Sequence, residues 1–286
     1  MKVSNDPFCE NEKGKRLSAI SRSESSETTG ELNYNVVEEQ MEVFRALCRR
    51  QNQSRHFNKE ASHLWFRPNL VRWLEAQASR FTLSFHSVSI ALALVDNICA
   101  RFHFPSSDWH LLAGASLMVA SKLVERPKLA LTLSTTIELL DGSFSENQVR
   151  TVEVSIASAL EFRVNVVVPL DFFEFLIGLK VLTDEDWASQ PDRTLCVQNI
   201  GHQLLQACQH SYDLLQFTSL AVAASVLWIA QKECQVEDPW PESFADLVCV
   251  RLEQLNPCIL HILEIVENKS VTPVSSCCTE HDQTCH

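Results

Sequence analysis

Eleven cysteines and ten histidines give this 286-residue chain its widest chemical range, and their spacing limits what they can do. The densest cluster closes the chain: Cys277-Cys278-Thr279-Glu280-His281-Asp282-Gln283-Thr284-Cys285-His286. Structural zinc is held by two ligand pairs with short spacers on a folded support, and adjacent cysteines at a chain end make poor geometry for it. No metal is expected there. His63, His86, His103 and His110 show no ligand spacing either. The sequence has no Gly-rich phosphate loop, no Gly-x-Ser-x-Gly elbow, no His-Glu-x-x-His and no protein-kinase signature. The expectation is a non-enzyme without cofactors, whose charged residues bind rather than catalyse. Two of those charges adjoin strongly apolar segments. Lys122 follows the small, apolar run 111 to 121, and Glu153 lies among Val149, Val152, Val154 and Ile156. Taken alone, Lys122 reads as a solvated cation favoured by the negative end of a helix, and Glu153 as a surface glutamate.

The elements that position these residues are read from apolar periodicity. Val37, Met41, Phe44 and Cys48 recur at three- and four-residue spacing after a possible cap at Asn35, with Glu38 three residues on, so one amphipathic helix starts there. Helix-period segments follow at 67–80, 84–101, 107–123, 131–140 and 145–160. After Pro169 the pattern restarts with Phe172, Phe173, Phe175 and Leu176, then runs through 193–209, 212–216, 217–233, 241–252 and 256–266. Ala115-Ser116-Leu117-Met118-Val119-Ala120 is echoed by Ala224-Ser225-Val226-Leu227-Trp228-Ile229, which suggests a duplication. Helices that are apolar on every face belong at the centre of a bundle, and small residues let neighbours approach them closely. The expected fold is therefore all-α, with two tandem five-helix domains at 64–167 and 168–267. A disordered tail at 1–32 and a helix with its linker at 33–63 precede them, and a flexible tail at 268–286 follows.

Composition narrows the function. With 45% apolar residues and only six glycines, the chain suits a helical core better than a turn-rich β fold or a dinucleotide-binding α/β fold. A formal charge of -12 opposes binding to a phosphate backbone, so nucleic acid is not an expected partner. The longest apolar runs, 111–120 and 219–230, are shorter than the roughly 18 residues a membrane span needs. Residues 1–12 contain no apolar signal core. Cys99, Cys208 and Cys249 fall in apolar helical stretches, as reduced core thiols do inside cells. The nucleus, the cytoplasm or both is the expected location.

The stretch Phe66 to Leu176 resembles the cyclin box. It opens with Phe66-Arg67-Pro68-Asn69-Leu70-Val71-Arg72-Trp73-Leu74, continues through Ala93-Leu94-Val95-Asp96, Leu111-Leu112-Ala113 and Val119-Ala120-Ser121-Lys122-Leu123-Val124-Glu125, and closes with Val149-Arg150-Thr151-Val152-Glu153, Leu160-Glu161-Phe162 and Pro169. The five positions that identify such boxes fall on Arg67, Asp96, Leu111, Lys122 and Glu153. In the second half, Tyr212-Asp213, Trp240-Pro241-Glu242-Ser243-Phe244 and Leu255-Asn256-Pro257-Cys258 resemble the C-terminal domain of A- and B-type cyclins, with some likeness to J-type and divergent meiotic cyclins.

The resemblance implies a non-catalytic subunit that pairs with, and activates, a cyclin-dependent serine/threonine kinase in mitotic or meiotic control, with protein substrates or inhibitors as further partners. Lys122 and Glu153 would contact the kinase, while Arg67, Asp96 and Leu111 would support the architecture. An apolar groove for substrate peptides would be lined by Phe66, Asn69, Leu70 and Trp73, and the amide of Asn69 is expected to weaken it. Two alternatives share the fold. A two-repeat transcription-initiation factor would need a basic face and commonly a zinc ribbon, and a scaffold would keep the fold without activating a kinase.

Overall fold

The structure is a computed structural model, and it describes residues 27–54 and 57–268. These residues form α-helices and short 3-10 turns, with no strand among them. The first domain comprises α2 (Arg67–Arg80), α3 (Phe85–Arg101), α4 (Trp109–Val124), α5 (Leu133–Leu139) and α6 (Glu146–Ala159). The second comprises α7 (Pro169–Thr183), the short α8 (Glu185–Ala188), α9 (Pro191–Cys208), α10 (Ser219–Glu233), α11 (Glu242–Val248) and α12 (Leu252–Asn268).

Side-chain caps set several starts. Ser84, Thr132, Ser145 and Thr218 each accept a hydrogen bond from a backbone N–H in the first turn of α3, α5, α6 and α10. The centre of each domain is the apolar, small-residue helix. Residues 111 to 121 of α4 are all buried, and α2, α3, α5 and α6 pack around it. Residues 220 to 227 of α10 are likewise buried, surrounded by α7, α9 and α12. Close approach is visible at Gly201 of α9, where the ring of Phe173 occupies the place a Cβ would take.

Three expectations need correcting. The N-terminal helix α1 spans Glu27–Ser54, so it begins well before Asn35 and takes in residues 27–32, expected to be disordered. Extending a helix already nucleated at the 35–50 stripe fixes one residue per hydrogen bond, which costs far less than nucleation. Residues 1–26 and 269–286, with the terminal Cys and His cluster, lie outside the described residues. Cys249 is an exposed residue, not a core thiol: it takes a left-handed φ of 54° and ends α11 at Val248 rather than at 252. Finally, α12 starts at Leu252 rather than at 256 and carries Pro257 inside it.

The apolar stripe of α1 covers the second domain. Phe44 meets the edge of Phe172 at 6.0 Å and stacks on Phe175 at 5.5 Å, both on α7. Gln51 is buried, and its Oε1 accepts from the backbone N–H of Leu220 at 3.0 Å, at the start of α10. Arg50 donates to the carbonyl of Asn165 in the segment that joins the domains, at 2.8 Å.

Candidate functional site

Lys122 owes its position to the serine before it. Ser121 Oγ donates to the Met118 carbonyl and accepts from the Leu131 N–H, both at 2.9 Å, which fixes the turn after α4. On α6, Val149, Val152 and Ile156 face the core, leaving Glu153 on the flank. The two charged groups meet there: Lys122 Nζ lies 2.6 Å from Glu153 Oε1, with the side chains 46% and 32% exposed. A pair this open to water contributes at most about 1 kcal/mol to folding. Leu123, Val154 and Phe162, which sit beside the pair in sequence or just after α6, are exposed apolar side chains. Phe162 is 79% exposed and, with Glu161 before it, adopts a positive φ. These three were not singled out as functional by the sequence, although the outward position of Val154 among inward valines is visible in the spacing.

Glu125, the last residue of the motif containing Lys122, acts within the fold. Its carboxylate accepts from the Ser84 backbone N–H at 2.7 Å and from Ser87 Oγ at 2.8 Å, tying the end of α4 to the start of α3. Burial would raise its pKa, but these hydrogen bonds outweigh it and hold the carboxyl below its usual range.

Arg67 and Asp96 form the buried ion pair of the first domain. Arg67 Nε and Nη2 donate to Asp96 Oδ1 and Oδ2 at 2.9 Å each, and both side chains are 3% exposed. His63 Nε2 lies 2.9 Å from Asp96 Oδ1 and is fully buried. Burial pushes the Asp96 carboxyl up, but the Arg67 charge and the His63 hydrogen bond prevail, so its pKa is lowered. The remaining guanidinium nitrogen, Arg67 Nη1, donates to the Gln209 carbonyl of the second domain at 2.9 Å. Leu111 is buried in the core.

The residues expected to line a peptide groove divide. Leu70 is wholly buried, so it belongs to the core and not to a groove wall. Its place in α2, one turn after Phe66, turns it inward. Asn69 is exposed, and its Oδ1 accepts from Arg72 Nη2 at 2.7 Å. Phe66 stacks on Trp109 at 5.4 Å, and Trp73 meets the edge of His110 at 5.2 Å. Trp65, 73% exposed, leans on both Phe66 and Trp109.

Between the domains lies a cavity of about 100 Å³, lined mainly by apolar side chains of α3, α7 and α9 with Arg67 and Asp96 at one side. It falls short of the roughly 300 Å³ or more of small-molecule sites. No group of three or more potential metal ligands occurs among the described residues. No helix among them is long and apolar enough to cross a membrane.

Two tandem helical domains, each wrapped around a buried small-residue helix, with a Lys–Glu pair displayed on the first, define a protein of the cyclin-fold class. Residues 36–165 match the family model of the cyclin N-terminal domain, and residues 167–284 that of the cyclin C-terminal domain. The chain belongs to the cyclin family. It is 26% identical over 207 residues to S-phase entry cyclin-5 of Saccharomyces cerevisiae, covering 69% of this chain and 44% of that protein. It is 26% identical over 191 residues to G2/mitotic-specific cyclin S13-6 of Glycine max, covering 66% of this chain and 39% of that one. G2/mitotic-specific cyclin-B2 of Rana japonica is also 26% identical, over 214 residues, 74% of this chain and 49% of its own length. The chain thus spans half or less of these three relatives. Among solved structures, a viral cyclin from herpesvirus saimiri shares the fold with a TM-score of 0.61 at 16% identity, covering 79% of this chain and 96% of that chain.

Proposed function

We propose that this protein binds a cyclin-dependent serine/threonine kinase through the face carrying Lys122 and Glu153 and activates it as a non-catalytic subunit. The observation that carries this reading is the pair itself. It joins the last turn of α4 to the middle of α6 at 2.6 Å in the open, where it adds little to stability, and its sequence neighbours Leu123 and Val154 are exposed, as is Phe162 just after α6. Exposed apolar side chains together with an open charged pair offer both area to bury and directional hydrogen bonds to a partner. Kinase catalysis requires a lysine–glutamate pair involving the kinase's own regulatory helix, so a subunit that binds only the inward position of that helix shifts the kinase towards activity. The mitotic and S-phase names of the relatives favour a role in cell-division control, for which the nucleus, the cytoplasm or both is the proposed location.

The test is a charge exchange. Lys122→Glu combined with Glu153→Lys keeps the internal attraction but reverses the pattern shown to the partner. We expect unchanged circular dichroism and melting temperature, and kinase affinity reduced a hundredfold or more, about 2.7 kcal/mol. Lys128, exposed on the turn after α4, is the control, and its reversal should leave binding within about threefold. An exchanged protein that still binds and activates the kinase at wild-type strength would remove this face from the interface.

A further inference from the structure

In the second domain two thiols approach each other: Cys196 Sγ and Cys234 Sγ are 3.2 Å apart. Helix packing fixes both positions. Cys196 lies within α9, and Cys234 caps α10, against which α9 packs. The end of α10 is closed by backbone hydrogen bonds from Cys234 N–H to the Ala230 carbonyl at 3.1 Å, Gln235 N–H to the Lys232 carbonyl at 3.0 Å and Val236 N–H to the Gln231 carbonyl at 2.9 Å, with Gln235 at a left-handed φ of 57°. The buried ammonium of Lys180 ties this end down further, donating to Gln231 Oε1 at 2.8 Å and to the Pro239 carbonyl at 2.9 Å. The α10 side of the contact is thus held by its backbone and by Lys180.

We propose that Cys196 and Cys234 form a reversible thiol–disulfide site, oxidised by peroxide, that locks α9 to the end of α10. The chemistry balances with hydrogen peroxide as the oxidant. One thiol, deprotonated, attacks a peroxide oxygen; the S–O bond forms, the O–O bond breaks, and hydroxide leaves as water. The second sulfur then attacks the sulfenic sulfur, the S–S bond forms, the S–O bond breaks and a second water leaves. Two thiols and one peroxide become one disulfide and two waters, and a dithiol reductant reverses the link. Both thiols are partly exposed, so a small oxidant can reach them. Two buried cysteines are less receptive: burial pushes the Cys99 thiol up to about 12 and the Cys258 thiol up to about 11, which withholds the reactive thiolate.

The test uses the full, reduced chain, treated with hydrogen peroxide, quenched with an alkylating agent and mapped by mass spectrometry of its peptides. The expected product is a monomer two alkyl groups short of the alkylated reduced chain, with the Cys196 peptide joined to the Cys234 peptide and released by dithiothreitol. Cys196→Ser and Cys234→Ser should each abolish the link and leave the remaining cysteine as a sulfenic acid that dimedone traps. The oxidised wild-type protein should melt higher by roughly 5 °C or more, because the link shortens the unfolded chain's freedom. Should either serine variant fail to fold, the peptide map of the wild-type protein decides alone. Full alkylation of Cys196 and Cys234 under conditions that oxidise other cysteines would overturn the proposal, and so would links formed mainly between molecules. Kinase binding by the first domain is measured separately, so loss of either idea leaves the other standing.

Discussion

A bulky aromatic in the left-handed region is an expensive residue, and Phe162 holds that conformation at φ 61°, directly after Glu161 at φ 50°. Such a conformation costs an L-residue about 1 to 2 kcal/mol. Being 79% exposed, the ring recovers little of that by burial within the chain. A partner that covers the ring would recover it. Phe162→Asn, which tolerates the left-handed region through its short polar side chain, should therefore stabilise the isolated protein by about 0.5 to 1 kcal/mol while weakening kinase binding tenfold or more. Thermal melting and a binding titration check the two halves, and a variant that is both less stable and fully competent to bind contradicts the account. At this scale the sequence was only partly readable. Lys122 and Glu153 are recognisable through the cyclin-box motif alone, because nothing in their spacing shows that they touch. Asp96 and Arg67 are alike in this, being on separate helices. The sign of φ at Phe162 is not written in residue type, and a single apolar residue such as Leu70 does not announce whether it lines a groove or fills a core.

Helices were far more legible, for two physical reasons. Apolar periodicity is a direct record of which face is buried, and capping side chains such as Ser84, Ser145 and Thr218 stand where the first-turn N–H groups need acceptors. The same periodicity does not record what a face is buried against. The spacing of Val37, Met41, Phe44 and Cys48 leaves the covered surface open, and in the structure Phe44 lands on Phe172 and Phe175 of α7. Gln51 adds a backbone cap for α10 from the same helix. It follows that α1 is part of the second domain's stability. Phe44→Ala should cost about 3 kcal/mol, the usual loss for an emptied aromatic core position, read as a lower midpoint in urea unfolding. A chain starting at residue 52 should be destabilised more than this single variant, since it loses the ring and the Gln51 cap together. Kinase affinity measured on that shortened chain therefore reports on folding as well as on contact.

Across the whole molecule, the two domains are joined by polar contacts between buried or half-buried groups. Arg67 reaches the Gln209 carbonyl, and Glu75 takes Gln209 Nε2 at 2.8 Å and His210 Nε2 at 3.0 Å; Tyr212 adds a tie to the linker before α2, donating to the Asn58 carbonyl at 3.0 Å. His86 of α3 adds a charge-dependent link, its Nε2 lying 2.9 Å from Asp171 Oδ1 at the start of α7. Burial alone would lower the His86 pKa, but Asp171, with smaller help from Glu174 and Glu125, raises it above its ordinary 6.5. A raised folded pKa means that the folded state holds the proton more tightly than the unfolded chain does. The contribution of His86 to stability is then fully present below about pH 6.5 and fades as the pH climbs through the raised folded value. His86→Gln removes the titrating group and keeps a side chain able to donate to Asp171. The difference in unfolding free energy between wild type and this variant should be largest near pH 6 and shrink steadily by pH 8.5 or so, with the wild type the more stable at the acidic end. Below the usual carboxylate range both proteins should lose stability together, because the lowered pKa of Asp96 gives a contribution that is present above its unfolded value and lost as acid protonates it. Parallel urea titrations across that range measure the difference directly. A gap between the two proteins that stays constant from pH 6 to 8.5 would show that His86 holds the domains together, if at all, without its charge.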